Sequence, residues 1–273
     1  MLRVDCRRDG WLEDCAQAVR FDGCCLVEAV LQPDELPALR EAMYRAQRRI
    51  REEVGRAKLE RAGELGVLRL MMRFEPLLLR LLELAPMLAV VDTLLSPTAI
   101  LHLQNGFILP SQPADRRLGA FQQSFHQDFP RVLNGYLMSV NAFFAIDAFT
   151  AENGATWVVP GTHQKSERAT DAYLRSAAVC VECPAGAMLV FDSTLWHCAG
   201  RNSSGKDRLA VNHQFTRSYV KQQIDYVRAL GNGFVERLPE RSRQLLGWYT
   251  RVVTSLEEYY RPGPERLYRS GQG

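Results

Sequence analysis

The second half of the chain contains a succession of short apolar segments with no long helical sequence between them. Each is rich in Val, Ile, Phe, Trp or Thr, and clusters of Gly, Pro, Asn or Asp separate one from the next, a pattern typical of β-strands. The segments are "AILHLQNGFIL" (99–109), "GYLMSVNAFFAI" (135–146), "ATWVVP" (155–160), "AAVCVEC" (177–183), "GAMLVFD" (186–192) and "DRLAVNHQFT" (207–216). Successive strands of this kind pack as a sandwich or a barrel, so we expect a β core here.

Helical sequence lies on both sides of this expected β core. Residues 32–65 open with Pro33 and acidic residues and continue in good helix formers with apolar residues at helical spacing. The tail from about residue 222 returns to helical and mixed character. The 273 residues show no internal repeat and no low-complexity linker, so we expect one domain over 1–273, of the α+β class with a mainly β core.

Composition limits the partners that such a chain is expected to have. The chain has 34 Lys and Arg against 31 Asp and Glu, and because the basic residues are scattered we do not expect a nucleic-acid partner. The amino end is charged throughout and lacks the apolar run of a secretory signal. The most apolar stretch, 76–95, is interrupted by Arg80, Glu83, Pro86 and Asp92, which argues against a membrane span. Seven cysteines give no disulfide framework, so we expect a cytoplasmic protein.

A histidine and an aspartate lie two positions apart in "SFHQDFP" (124–130). If this stretch is a strand, the side chains of His126 and Asp128 leave the same face and project into a common space. The pair alone is weak evidence for a metal site, and its meaning depends on a third ligand. His197 is the candidate, because it follows an apolar strand and a turn and shortly precedes Arg208 on the next strand.

The residue types in this set suit one kind of metal chemistry. Two imidazoles and one carboxylate occupy one triangular face of an octahedral ion and leave three positions open, as non-haem Fe(II) oxygen chemistry requires. Zinc prefers a closed tetrahedron, or three ligands with one open position. The fixed fork of Arg208 suits the far carboxylate of a dicarboxylate such as 2-oxoglutarate. Arg208 alternates with Ala210 and Asn212, which places His213 on the opposite face, so we do not count His213 as a ligand.

Four stretches in a fixed order extend this interpretation over residues 21–217. They are "FDGCCLVEAVLQPDELPALREAM", "FHQDF", "ENGATWVVPGTHQ" and "PAGAMLVFDSTLWHCAGRN" followed by Arg208. Together they resemble the phytanoyl-CoA dioxygenase family of Fe(II)/2-oxoglutarate oxygenases. The resemblance implies a double-stranded β-helix, a cupin-like jelly roll, flanked by N-terminal and C-terminal helices. It also implies that His126, Asp128 and His197 hold iron and that Arg208 pairs with the distal carboxylate of 2-oxoglutarate.

The same resemblance implies further contacts with the cosubstrate. Gln123 and Thr156 look like the polar residues that some family members use to hold 2-oxoglutarate. Many members also carry a hydroxyl residue two positions after the second histidine, where this chain has Ala199. Thr216 and Asn141 are candidates to supply the missing hydrogen bond.

The arginines give weaker predictions about the substrate. Arg69 and Arg73 share one face if their segment is extended, and Arg73 is a candidate substrate contact, with a solvated surface arginine as an equal alternative. Arg116, Arg117 and the nearby Arg131 suggest an anionic substrate, although surface arginines explain them equally well.

Several other patterns have simpler explanations. The stretch 200–207, "GRNSSGKD", nearly matches a phosphate-binding loop, but Asp207 replaces the required hydroxyl residue and a hairpin turn is the better prediction. The cysteines of "CVEC" (180–183) have no second pair to complete a zinc site. We expect a structural role for His163 and a strand position for His102.

The implied activity is oxidation of a small molecule by O2, with conversion of 2-oxoglutarate to succinate and CO2. Asp128 occupies a position that a small residue takes in related halogenases, so hydroxylation of an unactivated C–H bond is favoured. Phe125, Phe129, Trp157 and Trp196 are candidate walls of a dry pocket. A metal-dependent hydrolase with the same ligands and a catalytically silent metal-binding or partner-binding module are the alternatives.

Overall fold

A seven-stranded sheet forms the centre of the computed structural model, which describes residues 1–112 and 123–272. The ten strands within these residues are β1 Leu2–Asp5, β2 Cys24–Glu28, β3 Val67–Arg69, β4 Ile100–Leu109, β5 Ser139–Ala145, β6 Thr156–Val158, β7 Val179–Cys180, β8 Met188–Asp192, β9 His197–Ala199 and β10 Arg208–Thr216. The order in the large sheet is β1-β2-β8-β5-β10-β4-β3. β1 and β2 are parallel, and the other neighbours are antiparallel.

A small sheet of order β7-β6-β9 packs against one face of the large sheet, which we call the inner face. Val158 of β6, Phe143 of β5 and Leu189 of β8 belong to one buried apolar cluster between the two sheets. A core enclosed by two antiparallel layers is the jelly-roll arrangement. The expected α+β class with a mainly β core is confirmed.

Helices cover the other, outer face of the large sheet. The helices of the described residues are α1 Trp11–Asp22, α2 Leu36–Val54, α3 Arg56–Arg61, α4 Pro76–Arg80, α5 Ala85–Leu94, α6 Asp171–Ala177, α7 Tyr226–Leu230, α8 Asn232–Val235, α9 Glu240–Leu245 and α10 Leu256–Tyr259. Two of them are not part of this cover, because α6 packs through Leu174 against Trp196 and α10 has no buried residue. Leu39, Met43, Ala46 and Ile50 of α2 form a buried stripe at helical spacing, and this stripe joins the outer core. None of the helices in the described residues is long and apolar enough to cross a membrane.

The central strand β10 shows how the two cores share one element. Its side chains alternate between the faces, and all of its residues are buried. Leu209 and Phe215 belong to the outer core, whereas Ala210 belongs to the inner one. Arg208 therefore points to the inner face and His213 to the outer face, as the alternation of the sequence predicts.

The six predicted apolar segments correspond to β4, β5, β6, β7, β8 and β10. The strands β1, β3 and β9 have only three or four residues each, which is too few for a period-two pattern to identify them. The predicted hairpin at 200–207 is wrong, because β9 lies in the small sheet and β10 in the large one. This stretch connects the two sheets instead.

Candidate metal centre

The segment around His126 is not the regular strand that the sequence suggested. Only His126 pairs, through a single antiparallel bridge to His197 at the start of β9. The N–H of each histidine donates to the carbonyl oxygen of the other, and both bonds are 3.0 Å long. The Phe129 N–H donates to the Ser193 carbonyl at 2.9 Å, which holds the segment on the far side of Asp128. Two histidines that are distant in sequence are thus fixed side by side by backbone bonds.

The side chains of His126, Asp128 and His197 converge on one position. Their potential ligand atoms all lie within 4.8 Å of one another. Nε2 of His126 is 3.6 Å from one carboxylate oxygen of Asp128, and Nε2 of His197 is 3.7 Å from the other. Two atoms that each lie about 2.1 Å from a common ion are themselves about 3 to 4 Å apart, so this spacing fits a metal ion.

Both imidazoles are oriented by a second hydrogen bond on the opposite side of the ring. Nδ1 of His126 donates to the Ser124 carbonyl at 2.9 Å, and Nδ1 of His197 donates to the Leu195 carbonyl at 3.0 Å. A proton on Nδ1 leaves the Nε2 lone pair directed at the ion, which is how metal-bound histidines are usually held. The Phe191 ring packs against His197 with 4.8 Å between centroids.

Burial and charge set the protonation of the three groups. Burial lowers the pKa of His197, against the charge of Asp128, so its ring is neutral at neutral pH. Burial acts to raise the pKa of Asp128. The charge of His197 and the hydrogen bonds from His126 and Asn141 act in the other direction and outweigh burial, so the pKa of Asp128 is lowered. Burial acts to lower the pKa of His126, but the hydrogen bond and charge of Asp128 raise it. Asp128 is therefore ionised and ready to bind a cation.

A buried polar network behind Asp128 was not foreseen from the sequence. Nδ2 of Asn141 donates to the Ser193 hydroxyl at 2.8 Å, and Nδ2 of Asn212 donates to Oδ1 of Asn141 at 2.7 Å. The Ser193 hydroxyl also bonds the Ser139 hydroxyl at 2.7 Å. The available signal was the polar residues at alternate positions of β5 and β10, which face inwards. This network orients Asp128 through Asn141.

Arg208 lies at the beginning of β10 and is only 2% exposed. Its Nη2 donates to the Gly154 carbonyl at 2.9 Å, and its guanidinium group lies 4.6 Å from the centre of the Phe149 ring. Nε and Nη1 have no hydrogen-bond partner among the described residues. Burial lowers the pKa of Arg208 to about 10, so the group keeps its charge at neutral pH. A buried cation with two unused donors fits a carboxylate ligand, because leaving it unpaired is unfavourable.

The other two predicted cosubstrate contacts, Thr156 and Gln123, each have a buried polar group. Thr156 of β6 is directly opposite Ala199, so its side chain leaves the same face of the small sheet as that of His197. The face that lacks a hydroxyl at Ala199 thus carries one at Thr156. Nε2 of Gln123 is buried without a hydrogen-bond partner in the described part of the chain.

Thr216 does not suit the role of a cosubstrate contact. It lies eight residues beyond Arg208 on β10, which corresponds to about 26 Å along an extended strand. This separation is far longer than 2-oxoglutarate, so one molecule bound at Arg208 does not reach Thr216.

Arg73 is not brought together with the metal cluster. Leu70 has a φ of 52°, and Met71–Arg73 forms a 3₁₀ turn, so the extended segment that would have aligned Arg73 with the pocket is absent. Nη1 of Arg73 donates to Glu53 at 2.8 Å in an exposed ion pair, and its guanidinium lies 5.3 Å from the centre of the Phe74 ring. Its position is that of a surface arginine.

The other arginines and the aromatic residues that the sequence singled out differ in their surroundings. Arg116 and Arg117 lie outside the described residues, and Arg131 is exposed. Phe125 packs against the buried Trp196 in a small apolar cluster, which supports the idea of an aromatic wall at this point.

Two other histidines have structural surroundings, as expected. Nε2 of His163 donates to the Arg20 carbonyl at 3.0 Å and ties a loop to α1. His213 contacts Gln104 and the sulfur of Met87 on the outer face.

The fold and the site together define a class of protein. A jelly roll that brings two histidines and an aspartate to one position, beside a buried arginine that suits an anion, has the donor set of a non-haem iron oxygenase. A family model described as phytanoyl-CoA dioxygenase (PhyH) matches residues 19–210. The chain therefore belongs to the phytanoyl-CoA dioxygenase family. It is a 2-oxoglutarate-dependent dioxygenase whose cofactors are Fe(II), 2-oxoglutarate and O2.

The chain is also similar to individual proteins. The chain is 58% identical to the uncharacterized protein Rv1501 of Mycobacterium tuberculosis over 273 residues, which cover 100% of both chains. It is 28% identical to the dioxygenase olcK of Penicillium canescens over 162 residues, which are 58% of this chain and 50% of the fungal protein.

Two solved structures share the fold. One is EctD from S. alaskensis, solved with 2-oxoglutarate and 5-hydroxyectoine, with a TM-score of 0.58, 18% identity and 74% of each chain covered. The other is the non-heme monooxygenase ThoJ as a nickel complex, with a TM-score of 0.57, 24% identity and coverage of 78% of this chain and 80% of ThoJ. At these identities the likeness concerns the fold.

Proposed function

We propose that this dioxygenase hydroxylates an unactivated C–H bond of a small molecule at iron bound by His126, Asp128 and His197. The observation that carries the proposal is the convergence of the three ligand atoms within 4.8 Å. Arg208 binds the distal carboxylate of 2-oxoglutarate, and Gln123 and Thr156 contact the same molecule. Residues 1–273 act as one domain in this proposal.

The bound cofactors supply oxidising power for C–H cleavage, and 2-oxoglutarate ends as succinate and CO2. The chain supplies binding, orientation and exclusion of water. The Nδ1 bonds of His126 and His197 keep both rings directed at the metal, and Asn141 keeps the Asp128 carboxylate in place. Because Asp128 fills its coordination position, a halide has no place there, which favours hydroxylation.

Arg208 orients the cosubstrate by charge and by geometry. Two of its nitrogens, Nε and Nη1, have N–H groups without a partner in the described residues, and these charged donors suit carboxylate oxygens. The Phe149 ring and the Gly154 carbonyl hold the guanidinium plane in position before any ligand arrives. Such preorganisation reduces the entropy lost when 2-oxoglutarate binds.

The proposal is tested with protein reconstituted with Fe(II) under anaerobic conditions. Iron content is measured first, and succinate is then measured after addition of 2-oxoglutarate and O2. We expect stoichiometric iron, and succinate formation that requires both 2-oxoglutarate and O2. Mass spectrometry of metabolite mixtures incubated with the enzyme then identifies compounds that gain one oxygen atom.

A matched pair of histidine variants makes the test specific to the site. His126→Ala should lose both iron and succinate formation, whereas His163→Gln, which alters a histidine on the loop near α1, should keep both. Retention of iron by His126→Ala, or hydrolytic turnover that needs neither O2 nor 2-oxoglutarate, would contradict the proposal.

A further inference from the structure

A β-bulge in the large sheet redirects the side chain of His102. The register of β4 and β10 pairs Leu103 with Gln214 and Leu101 with Phe215, so His102 is the extra residue between them. The extra residue of a bulge changes the direction of a side chain, and bulges are common beside active sites. The carboxylate of Asp128 is the charge that acts on His102. His102 therefore lies near the metal centre, at the bulge of β4.

Buried polar atoms without partners lie at the bulge of β4 and at or just beyond the end of β10. Nδ1 of His102 and Oγ1 of Thr216 have no hydrogen-bond partner in residues 1–112 and 123–272, and neither does Oγ of Ser218, two positions further on. Thr216 is 0% exposed. It shares the inner face with Gln214, so His102 lies next to both in the register. Because folded proteins rarely leave buried polar atoms unpaired, several at one place indicate a bound molecule that supplies the partners.

Apart from the Asp128 carboxylate at the metal centre, the polar groups at this place favour a neutral group. Arg217, the cation next in sequence to Thr216, donates through Nε to the Leu137 carbonyl at 3.1 Å, and its guanidinium lies 4.4 Å from the centre of the Tyr136 ring. Burial lowers the pKa of His102, against the charge of Asp128, so its imidazole is neutral at neutral pH. A neutral imidazole and a hydroxyl can each donate and accept a hydrogen bond, which suits a hydroxyl or amide group.

We propose that His102 and Thr216 form a substrate subsite that hydrogen-bonds a neutral hydroxyl or amide group of the molecule oxidised at the metal centre. This inference rests on the proposed function, because it assigns the substrate of the same site. It places the substrate among neutral polar small molecules, with Thr216 too far along β10 to serve 2-oxoglutarate held by Arg208.

The first test concerns stability and needs no substrate. Thr216→Val removes a buried hydroxyl that has no partner, so we expect the iron-loaded protein to keep or slightly raise its Tm. Thr162→Val is the matched control, because that buried hydroxyl donates to the Val159 carbonyl at 2.6 Å. The control should lose about 2 to 4 °C in Tm. A loss of the same size in Thr216→Val would show that its hydroxyl is structural and would overturn the inference.

The second test measures succinate formation with Fe(II), 2-oxoglutarate and chosen probe molecules. The neutral probes are methyl α-D-glucoside, glycerol and N-methylacetamide, and the charged probes are octanoate and tetramethylammonium. We expect at least one neutral probe to raise the rate above that without a probe, and the charged probes not to do so. Failure of every neutral probe, or a larger effect of a charged one, would overturn the inference.

Variants of His102 and Thr216 test whether the subsite causes the increase in succinate formation that a neutral probe produces. Thr216→Val and His102→Leu should each reduce stimulation by about fivefold, the effect of one hydrogen bond. His102→Asn should recover part of it, because its amide nitrogen lies close to the position of Nδ1. The KM for 2-oxoglutarate should stay unchanged. A raised KM in Thr216→Val would assign the hydroxyl to the cosubstrate and overturn the inference.

The two proposals fail in different ways. If the unaltered protein forms no succinate in an iron-dependent manner, the proposed function itself is contradicted, and this inference with it. If that activity is present but insensitive to His102 and Thr216, only the subsite is wrong.

Discussion

The two faces of β10 differ in whether their buried polar atoms have partners. On the outer face, Nε2 of His213 lies 2.9 Å from Nε2 of Gln104, and Nδ1 lies 3.4 Å from the sulfur of Met87. The inner-facing residues with a buried nitrogen or oxygen that has no partner in the described chain are Arg208, Asn212 and Thr216. We therefore expect one face of this strand to contribute stability and the other to contribute ligand binding.

The comparison shows that burial alone does not distinguish a ligand from a core residue. His197 and His213 are both buried, and burial lowers the pKa of each. They differ in what their Nε2 atoms face, which is the Asp128 carboxylate for His197 and an amide for His213. Substitutions on the inner face should therefore change activity, and substitutions on the outer face should change stability.

The largest expected effect is on activity, from a metal ligand. His197→Ala should lose bound iron and reduce succinate formation by about 1000-fold or more, because the metal supplies the oxidising power. The fold should survive, since the backbone bridge to His126 does not depend on the imidazole. Metal analysis and circular dichroism check the two halves of this prediction. A variant that keeps stoichiometric iron would remove His197 from the ligand set.

The next effect concerns the cosubstrate. Arg208→Met should raise the KM for 2-oxoglutarate by about 100-fold or more, because two charge-assisted hydrogen bonds are worth about 1.5 to 3 kcal/mol each. The ligand-free variant should be as stable as the original or more so, because a buried cation with unused donors is removed. Steady-state kinetics and thermal unfolding test both statements. If the variant loses stability while its KM is unchanged, Arg208 is a structural residue.

His213→Leu should affect the opposite face and therefore stability alone. Burial lowers the pKa of His213 to about 3, whereas an unfolded histidine titrates near 6.5. As pH falls from about 6.5 towards 3, the unfolded state binds a proton that the folded state does not, so stability falls by about 1.4 kcal/mol per pH unit. The variant should lack this contribution and show a shallower acid dependence.

Urea unfolding between about pH 7 and pH 4.5 measures that dependence. At pH 7 the variant should be less stable by about 1 to 3 kcal/mol, because the buried Gln104 loses a partner. The KM for 2-oxoglutarate should be unchanged at temperatures where the variant is folded. Equal acid slopes in the two proteins would contradict the role given to His213.

The smallest effect is expected from a surface residue that lies on neither face of β10. Arg73→Ala removes an exposed ion pair with Glu53, which should change the free energy of unfolding by less than about 0.5 kcal/mol. Kinetic constants should also be unchanged, because Arg73 lies on the surface turn. A rise in the KM of an identified substrate would show that Arg73 reaches the pocket after all.

The sequence predicts much of this arrangement because its signals are local. The alternation of β10 places Arg208 inwards and His213 outwards, and the motif order identifies His126, Asp128 and His197 as a set. The first inference needs only the period of a strand, whereas the second rests on the resemblance of the ordered motifs to a family and on the chemistry of the ligands.

Other features depend on pairing between distant segments, which one sequence does not reveal. The bulge at His102 exists because β4 and β10 change register there, and nothing in "ILHLQN" indicates the shift. The single bridge at His126, the short strand β9 and the network behind Asp128 likewise arise from tertiary contacts. The predicted role of His102 as an ordinary strand residue missed the bulge for this reason.

The backbone bridge between His126 and His197 also bears on how the enzyme acquires its metal. Two of the three proposed metal ligands are brought together when the chain folds, so the entropy of closing that long loop is lost before an ion arrives. Enzyme stripped by a chelator should then keep its tertiary structure and regain full activity on simple addition of Fe(II), without a refolding step.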